Sequence, residues 1–379
     1  MKILADEAIP YVYELFKNTG NIFQVPHTQI LGKEIIDTEC LIIRSVTKIN
    51  KNLIKGSLVK FIGTATSGID HIDQEWLKKS GIFFSSAPGC NAIAVAEYVF
   101  SALLFLAENN NFQIKDRIVG IIGVGNIGSY LNKIFKAWGI KTLLCDPPRF
   151  DCGANDKFYS LTQIIKLADI ITLHTPLLYE GKYKTLHMIN KNLLLSLKPN
   201  TILINSSRGP IINNKELLEV LHLRKDIKVV MDVWEKEPKL SSRLLNKISI
   251  GTAHIAGHTL EGKMRAIIKL YQEWCKIVNK PQKTKLNKLL PMPIFNNIYL
   301  HGKVNQSVLK NLVYLIYDIH IDDSLLRNAI ISKSFSFEKL RNNYRQRREW
   351  YSLKVVCDNY KSHKILKGIG FNAILKLNY

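Results

Sequence analysis

The chain has 379 residues, 46% of them hydrophobic, which is enough for two or three domains with buried cores. Six cysteines are scattered without a CxxC pair, so we expect reduced thiols and a cytoplasmic protein. The start of the chain carries Asp6 and Glu7 where a signal peptide needs an apolar core. The longest nearly apolar run, 98–107, is too short to span a bilayer, so we expect no membrane partner.

The formal net charge of +22 would suit a nucleic-acid-binding protein. The basic residues are spread over the whole chain, however, and no recognised nucleic-acid-binding module is present. The sequence is also rich in Lys, Ile and Asn. We therefore attribute the charge to compositional bias, helped by anionic ligands, and expect no nucleic-acid partner.

Short apolar runs alternate with helical patterns through the first ninety residues. They predict a doubly wound parallel α/β unit with strands at 2–5, 22–25, 40–44, 61–65 and 82–85. The loops at 44–47 and 64–71 are rich in hydroxyls, as in an anion site, although ordinary α/β loops explain them equally well. A helix from Ala92 to about Leu106 is apolar on nearly every face and should be buried.

The most informative motif is a glycine-rich turn between a predicted strand, 118–122, and an amphipathic helix that extends to about residue 138. The turn consists of Gly123, Val124, Gly125, Asn126, Ile127 and Gly128. Gly123 permits the tight turn, Gly125 lets the backbone approach a pyrophosphate, and Gly128 lets helix pack on strand. Asp146 ends the next predicted strand, where a carboxylate binds the adenosine ribose and repels a 2′-phosphate. The motif therefore predicts NAD as cofactor.

The same alternation continues to about residue 257, with strands predicted at 118–122, 142–145, 170–173, 201–205, 228–231 and 248–251. This number of strands matches a complete Rossmann fold. A helix at 260–279 follows, then a linker at 280–285 and 291–293. The last ninety residues predict a small α+β module, with helices at 308–317 and 337–344 and strands at 353–357 and 372–376.

We therefore predict three domains. Residues 1–93, completed by 258–285, form a substrate domain with a flavodoxin-like sheet. Residues 94–257 form the NAD-binding domain. Residues 286–379 form the C-terminal module, which carries no chemical motif and whose expected role is oligomerisation or shape.

Three polar side chains follow neighbouring strands of the predicted NAD-binding sheet. Arg208, Glu237 and His254 lie beyond the carboxyl ends of three of these strands, the edge at which ligands bind. Arg can hold a substrate carboxylate with two parallel hydrogen bonds, neutral His can take a hydroxyl proton, and Glu can orient the imidazole. Each residue has an ordinary structural explanation singly, but the set predicts hydride transfer from a secondary alcohol.

These motifs resemble the D-isomer-specific 2-hydroxyacid dehydrogenases. The matching stretches are 123–128, 174–176, 205–209, 232–235 and 254–257. Others resemble one branch of that family, which oxidises a small phosphorylated 2-hydroxy acid and dimerises through its C-terminal module; they are 65–72, 86–91, 146–149, 259–263, 345–350 and 370–373. The resemblance implies a homodimer and covers nearly the whole chain.

The resemblance also implies roles for individual residues. Arg208, Glu237 and His254 would be catalytic. The expected NAD contacts are Gly123, Gly125, Asn126, Ile127, Gly128, Asp146, Thr175, Ser206, Asp232 and Gly257. Ser45, Thr66 and His258 would contact the substrate, and His258 stands where the family is expected to carry Tyr.

Two other functions fit the same residues. A sister dehydrogenase, for example one acting on 3-phosphoglycerate, would share the catalytic set, and a non-catalytic NAD-dependent binding protein would share the fold. The spacing of His254 and His258 could suggest zinc, but the segment lacks the glutamate of an HExxH motif and contains Gly257. We therefore expect no metal.

Overall fold

The computed structural model describes residues 1–282, 289–295, 297–332 and 336–376. The chain divides into two compact units, Met1–Asn91 with Thr259–Met292, and Ala92–His258 with Pro293–Tyr379. The division into three domains, 1–93 with 258–285, 94–257 and 286–379, stays a prediction. Residues 283–285 of the predicted linker lie outside the described residues.

The first unit contains a parallel sheet with the strand order β2-β1-β3-β4-β5. Its strands are β1 (Lys2–Asp6), β2 (Asn21–Val25), β3 (Cys40–Ile43), β4 (Phe61–Thr64) and β5 (Phe83–Ser85). Its connecting helices are α1 (Val12–Phe16), α2 (Lys33–Ile36), α3 (Lys51–Ile54) and α4 (Gln74–Ser80). β3 and β4 are buried at every residue, as expected for central strands covered on both faces. The sheet order is the predicted flavodoxin-like one.

The second unit contains a parallel sheet with the order β11-β10-β9-β8-β6-β7. Its strands are β6 (Ile118–Ile122), β7 (Lys141–Cys145), β8 (Ile170–Leu173), β9 (Ile202–Asn205), β10 (Lys228–Met231) and β11 (Ile250–Gly251). Its helices are α5 (Ala92–Asn109), α6 (Asn126–Trp138), α7 (Pro147–Asp151), α8 (Leu161–Leu167), α9 (Lys191–Leu195), α10 (Asn214–Leu223) and α11 (Ser242–Leu245). The strand order reverses between β6 and β8, which is where a dinucleotide binds in such sheets.

Helix α5 is long and apolar enough to cross a membrane, but 78% of its apolar window is buried in the protein. It packs on α6 through Phe100 and Phe135, whose ring centroids are 5.5 Å apart. The burial agrees with the pattern of the sequence, which is apolar on nearly every face of this helix.

The long helix α12 (Leu260–Ile277) returns the chain to the first unit. Its buried face carries Met264, Ile267, Leu270, Tyr271 and Trp274 at helical spacing. These residues pack with α1 and the first sheet in one core. Because this apolar face is continuous, the helix completes the first unit although it is distant in sequence.

The described residues from Pro293 onward belong to the second unit and contain a small parallel sheet with the order β12-β13-β14. The strands are β12 (Asn297–Leu300), β13 (Lys354–Cys357) and β14 (Asn372–Leu375). The helices are α13 (Gln306–Tyr314), α14 (Ile319–Ile331), α15 (Phe337–Asn342) and α16 (Tyr360–Ile369). Trp350, Phe371 and Val355 lie in the same core as α5 and α6, so this module packs directly on the nucleotide-binding part.

Candidate active site

The glycine turn between β6 and α6 has the backbone that its sequence predicts. Gly123 has a φ of +88°, and a Cβ there would lie 2.6 Å from the carbonyl oxygen of His174. A Cβ at Gly128 would lie 2.0 Å from the carbonyl oxygen of Gly123. A Cβ at Gly125, in contrast, would meet no atom within 4 Å. Packing therefore requires the outer glycines, whereas the open space at Gly125 suits a pyrophosphate approaching the start of α6.

Asp146 lies beside this turn, directly after β7. Its Oδ2 accepts a hydrogen bond of 2.7 Å from the amide of Val124, and its Oδ1 accepts one of 3.1 Å from the amide of Arg149. The Arg149 guanidinium donates to the Val124 carbonyl at 2.7 Å and to Asp156 at 2.9 Å. Asp146 and Arg149 thus bind the amide and the carbonyl of Val124 and fix the conformation of the turn. This is the region where the adenosine ribose is expected to bind.

Two buried hydroxyls follow neighbouring strands of the same sheet. Thr175 lies after β8 and Ser206 after β9. Their Oγ atoms are buried and have no hydrogen-bond partner in the part of the chain that the structure describes. Since buried hydroxyls are usually hydrogen-bonded, these two fit the polar groups of a bound dinucleotide. Together with Gly125 they make the site compatible with NAD.

Asp232 organises the loop that carries His254. The Asp232 side chain is buried, and its Oδ1 accepts hydrogen bonds from the Thr252 hydroxyl at 2.6 Å and the Ile255 amide at 2.7 Å. Its Oδ2 accepts one from the Ala256 amide at 3.0 Å. The loop holds His254 at a φ of +55°, a conformation that non-glycine residues rarely adopt. A direct contact between Asp232 or Gly257 and NAD stays a prediction.

His254 and Glu237 form a close pair at the carboxyl ends of β11 and β10. Nδ1 of His254 lies 2.7 Å from Oε2 of Glu237, whose Oε1 accepts a hydrogen bond of 2.8 Å from the Trp234 amide. Burial raises the pKa of Glu237, but the nearby His254 and these hydrogen bonds outweigh it, so the pKa lies below its ordinary value. An ionised Glu237 accepts a hydrogen bond from Nδ1–H of His254, which leaves Nε2 of the imidazole as the proton acceptor.

Arg208 lies on the turn after β9. The Asn205 side-chain amide donates to the Arg208 carbonyl at 3.0 Å, and the guanidinium donates to the Ser207 carbonyl at 2.8 Å. The next residue, Gly209, packs so closely that a Cβ there would lie 2.0 Å from the Trp234 carbonyl group. The turn that carries Arg208 therefore contacts the segment that leads to Glu237, and the three predicted catalytic residues follow three adjacent strands.

His258 contacts a residue that the sequence did not indicate. Its ring packs edge-on against Tyr344, with the centroids 5.8 Å apart, and the Tyr344 hydroxyl donates to Asp322 at 2.7 Å. The buried Arg347 donates to the carbonyl oxygen of Ala256 at 3.1 Å. The sequence had singled out the adjoining stretch 345–350 as resembling one branch of the family, but it had indicated no role for Tyr344.

The other predicted substrate contacts, Ser45 and Thr66, lie in the first unit. Ser45 is exposed just after β3. Thr66 follows β4, and its hydroxyl donates to the Gly68 carbonyl at 2.7 Å and lies 2.8 Å from the Thr64 hydroxyl. β3 and β4 are adjacent, so both residues lie at the same edge of that sheet. Within the described ranges, no group of three or more His, Cys, Asp and Glu could hold a metal ion.

The glycine turn, the strand order and the His254–Glu237 pair define a dinucleotide-dependent dehydrogenase. Residues 106–256 match the family of the D-isomer specific 2-hydroxyacid dehydrogenase, NAD binding domain, and residues 289–370 match a domain family of unknown function. The solved structure of NAD-bound 3-phosphoglycerate dehydrogenase from Entamoeba histolytica is 25% identical with a TM-score of 0.62, over 76% of this chain and 99% of that one.

Curated relatives match over the whole length. Erythronate-4-phosphate dehydrogenase of Escherichia coli O157:H7 is 50% identical over 99% of both chains. The enzyme of the same name from Photorhabdus laumondii is 51% identical over 99% of this chain and 100% of its own. The chain therefore belongs to the erythronate-4-phosphate dehydrogenase family, within the D-isomer-specific 2-hydroxyacid dehydrogenases, and is an NAD-dependent oxidoreductase.

Proposed function

We propose that the protein oxidises 4-phospho-D-erythronate at C2 to (R)-3-hydroxy-2-oxo-4-phosphooxybutanoate, a step of pyridoxal 5′-phosphate biosynthesis. The observation that carries the substrate assignment is the 50% identity over 99% of both chains to enzymes named for this substrate. The observation that supports the chemistry is the Glu237–His254 pair at the ligand-binding edge of the sheet.

In the proposed mechanism, Arg208 binds the substrate carboxylate through two parallel hydrogen bonds and so fixes C2 and its hydroxyl. Nε2 of His254 takes the hydroxyl proton, and ionised Glu237 stabilises the imidazolium that forms. The Gly123–Gly128 turn would hold NAD, which would supply the hydride acceptor for the oxidation of C2. General-base catalysis contributes about a hundredfold or more to the rate, and the positioning of the carboxylate adds to it.

The contacts with the cofactor and the remaining substrate contacts are part of the proposal. The Gly123–Gly128 turn would receive the pyrophosphate, Asp146 the adenosine ribose, and Thr175 and Ser206 further polar groups of NAD. Ser45, Thr66 and His258 would contact the substrate. The open space at Gly125 and the two unpartnered hydroxyls support the cofactor contacts.

We also propose a cytoplasmic homodimer held by the C-terminal module. A row of paired residues, Tyr299, Val356 and Ile374, crosses the outward face of the β12-β13-β14 sheet. Tyr299 is 63% exposed and Ile374 is 40% exposed, which leaves an apolar surface that a second copy would bury. The structure describes all six cysteines and none of them forms a disulfide, as in proteins of a reducing compartment.

One assay tests the proposed function. The purified protein and NAD are incubated with 4-phospho-D-erythronate or with 3-phosphoglycerate, and NADH formation is measured. We expect kcat/KM to be at least a hundredfold higher with 4-phospho-D-erythronate. A preference for 3-phosphoglycerate would assign a sister reaction, and NAD binding without turnover of either compound would indicate a binding protein. Sedimentation at micromolar concentration tests the dimer.

A further inference from the structure

Arg44 is fixed at the carboxyl edge of the first unit's sheet. It follows β3, and its Nε donates to Oδ2 of Asp6 at 2.7 Å. Asp6 is fully buried, and its other oxygen accepts the Ala8 amide at 2.9 Å. Because this carboxylate is shielded from water and fixed by its own hydrogen bond, it holds the guanidinium of Arg44 in one place beside Ser45.

Lys263 lies at the same edge, although it comes from α12. The Trp274 ring packs on Phe61 with the centroids 5.8 Å apart, and Leu270 lies 3.2 Å from the position of a Cβ at Gly63. The helix therefore runs antiparallel to β4. Moving from Leu270 back to Lys263 along the helix advances about 10 Å, which brings Lys263 to the carboxyl end of β4.

Lys263 has a cationic neighbour but no acidic partner. It is partly buried, and it forms no ion pair within the described part of the chain. Burial lowers the pKa of Lys263, and the positive charge of Arg44 lowers it further. Two cations held together at a partly buried position are unfavourable unless an anion joins them, because the ion pair with Asp6 neutralises only one.

We propose that Arg44 and Lys263 form an anion site in the first unit that binds the phosphate group of the substrate. A phosphate monoester dianion matches this pair, because the guanidinium can offer parallel donors and the ammonium a point charge. Ser45 lies at the same sheet edge, and its exposed hydroxyl can donate to a further phosphate oxygen. The inference rests on the proposed function insofar as that substrate is phosphorylated.

The test compares Lys263→Met with Lys269→Met, which removes the same charge from the same helix away from this edge. We measure KM for 4-phospho-D-erythronate and for unphosphorylated D-erythronate, and the binding of inorganic phosphate by calorimetry. Lys263→Met should raise KM for the phosphorylated substrate about ten- to a hundredfold and weaken phosphate binding, because charged hydrogen bonds contribute this much. KM for D-erythronate and the Kd for NAD should change less than threefold.

Two outcomes would overturn the site. One is an equal effect of both variants on the phosphorylated substrate, and the other is phosphate binding by Lys263→Met with the affinity of the unaltered protein. The calorimetric measurement separates this proposal from the proposed function. If 4-phospho-D-erythronate is not turned over at all, the proposed function fails, whereas loss of phosphate binding in Lys263→Met alone still supports the anion site.

Discussion

Nδ1 of His254 lies 2.7 Å from Oε2 of Glu237, although the two residues are 17 positions apart and follow different strands. The Trp234 amide holds the second oxygen of Glu237, and the backbone of the His254 loop is held by Asp232. Neither side chain can turn away without losing hydrogen bonds. The pair therefore sets the tautomer of the imidazole before any substrate binds.

Replacing Glu237 with Gln should lower kcat about a hundredfold or more. The Gln side chain has nearly the same shape, but it cannot stabilise the imidazolium and can offer an N–H to Nδ1. Glu235→Gln is the control, since Glu235 lies in the same segment and pairs with His187 at 2.7 Å instead. Steady-state rates with saturating NAD test this, and equal losses in the two variants would contradict the role of Glu237.

The same carboxylate should affect stability at acid pH. Its pKa in the folded protein lies below the ordinary value of 4.5, so the folded state favours the ionised form. The stabilisation is complete above the unfolded pKa and is lost as pH falls through the folded pKa. The free energy of unfolding can be measured by urea denaturation between about pH 3 and 7. As the pH falls over this range, Glu237→Gln should lose less unfolding free energy than the unaltered protein. Parallel curves would show that Glu237 is not linked to folding.

Replacing Arg208 with Lys keeps the positive charge but removes the planar guanidinium and its two parallel hydrogen-bond donors. Loss of the bidentate contact should remove about 2–4 kcal/mol of transition-state stabilisation, and kcat/KM should fall accordingly. Arg208 is partly exposed and its turn is fixed through backbone groups, so the melting temperature and NAD affinity should change little. A variant with near-normal kcat/KM would show that Arg208 does not bind the reacting carboxylate.

NAD should be strongly preferred over NADP, because Asp146 would face the 2′-phosphate. Arg149 is close enough to offset that repulsion, but its guanidinium is engaged with the Val124 carbonyl and Asp156. Asp146→Ala should therefore lower the ratio of kcat/KM with NAD to kcat/KM with NADP. Adding Asp156→Ala should lower this ratio further, because Arg149 loses its ion pair with Asp156. The affinity for 2′-phosphorylated and unphosphorylated adenosine nucleotides provides an independent measurement. Equal use of both cofactors by the unaltered protein would refute the preference.

The strands of both large sheets were predictable because buried parallel strands read as short apolar runs between helical patterns. The predicted 248–251 strand was longer than β11, Ile250–Gly251, which is an edge strand. In the C-terminal module, β12 alternates in exposure, and α14 and α16 carry polar residues along an apolar stripe, so these three elements were missed.

The positions of Arg208, Glu237 and His254 beyond adjacent strands were also predictable, since sheet topology brings the ends of such strands together. The tertiary contacts that fix the loops around these residues were not predictable. The positive φ of His254 and the Arg347–Ala256 hydrogen bond depend on tertiary contacts, the latter between residues 91 positions apart. Neither leaves a local pattern in the sequence. The same holds for Lys263, which lies near the carboxyl end of β4 only because α12 runs antiparallel to that strand.

The contact between Tyr344 and His258 gives the last prediction. The two rings pack at an interplanar angle of 73°, while the Tyr344 hydroxyl donates to the buried Asp322. Tyr344→Phe keeps the ring, so KM for substrate should stay within about threefold, while losing one hydrogen bond to a charged group should lower the unfolding free energy by about 1.5–3 kcal/mol. Tyr344→Leu also removes the ring that packs against His258, and KM should rise at least tenfold with little change in the NAD affinity. Combining Tyr344→Leu with His258→Ala tests the coupling, because the rise caused by Tyr344→Leu should vanish once the imidazole is absent. An undiminished rise in the double variant would show that Tyr344 acts on the substrate site by another route.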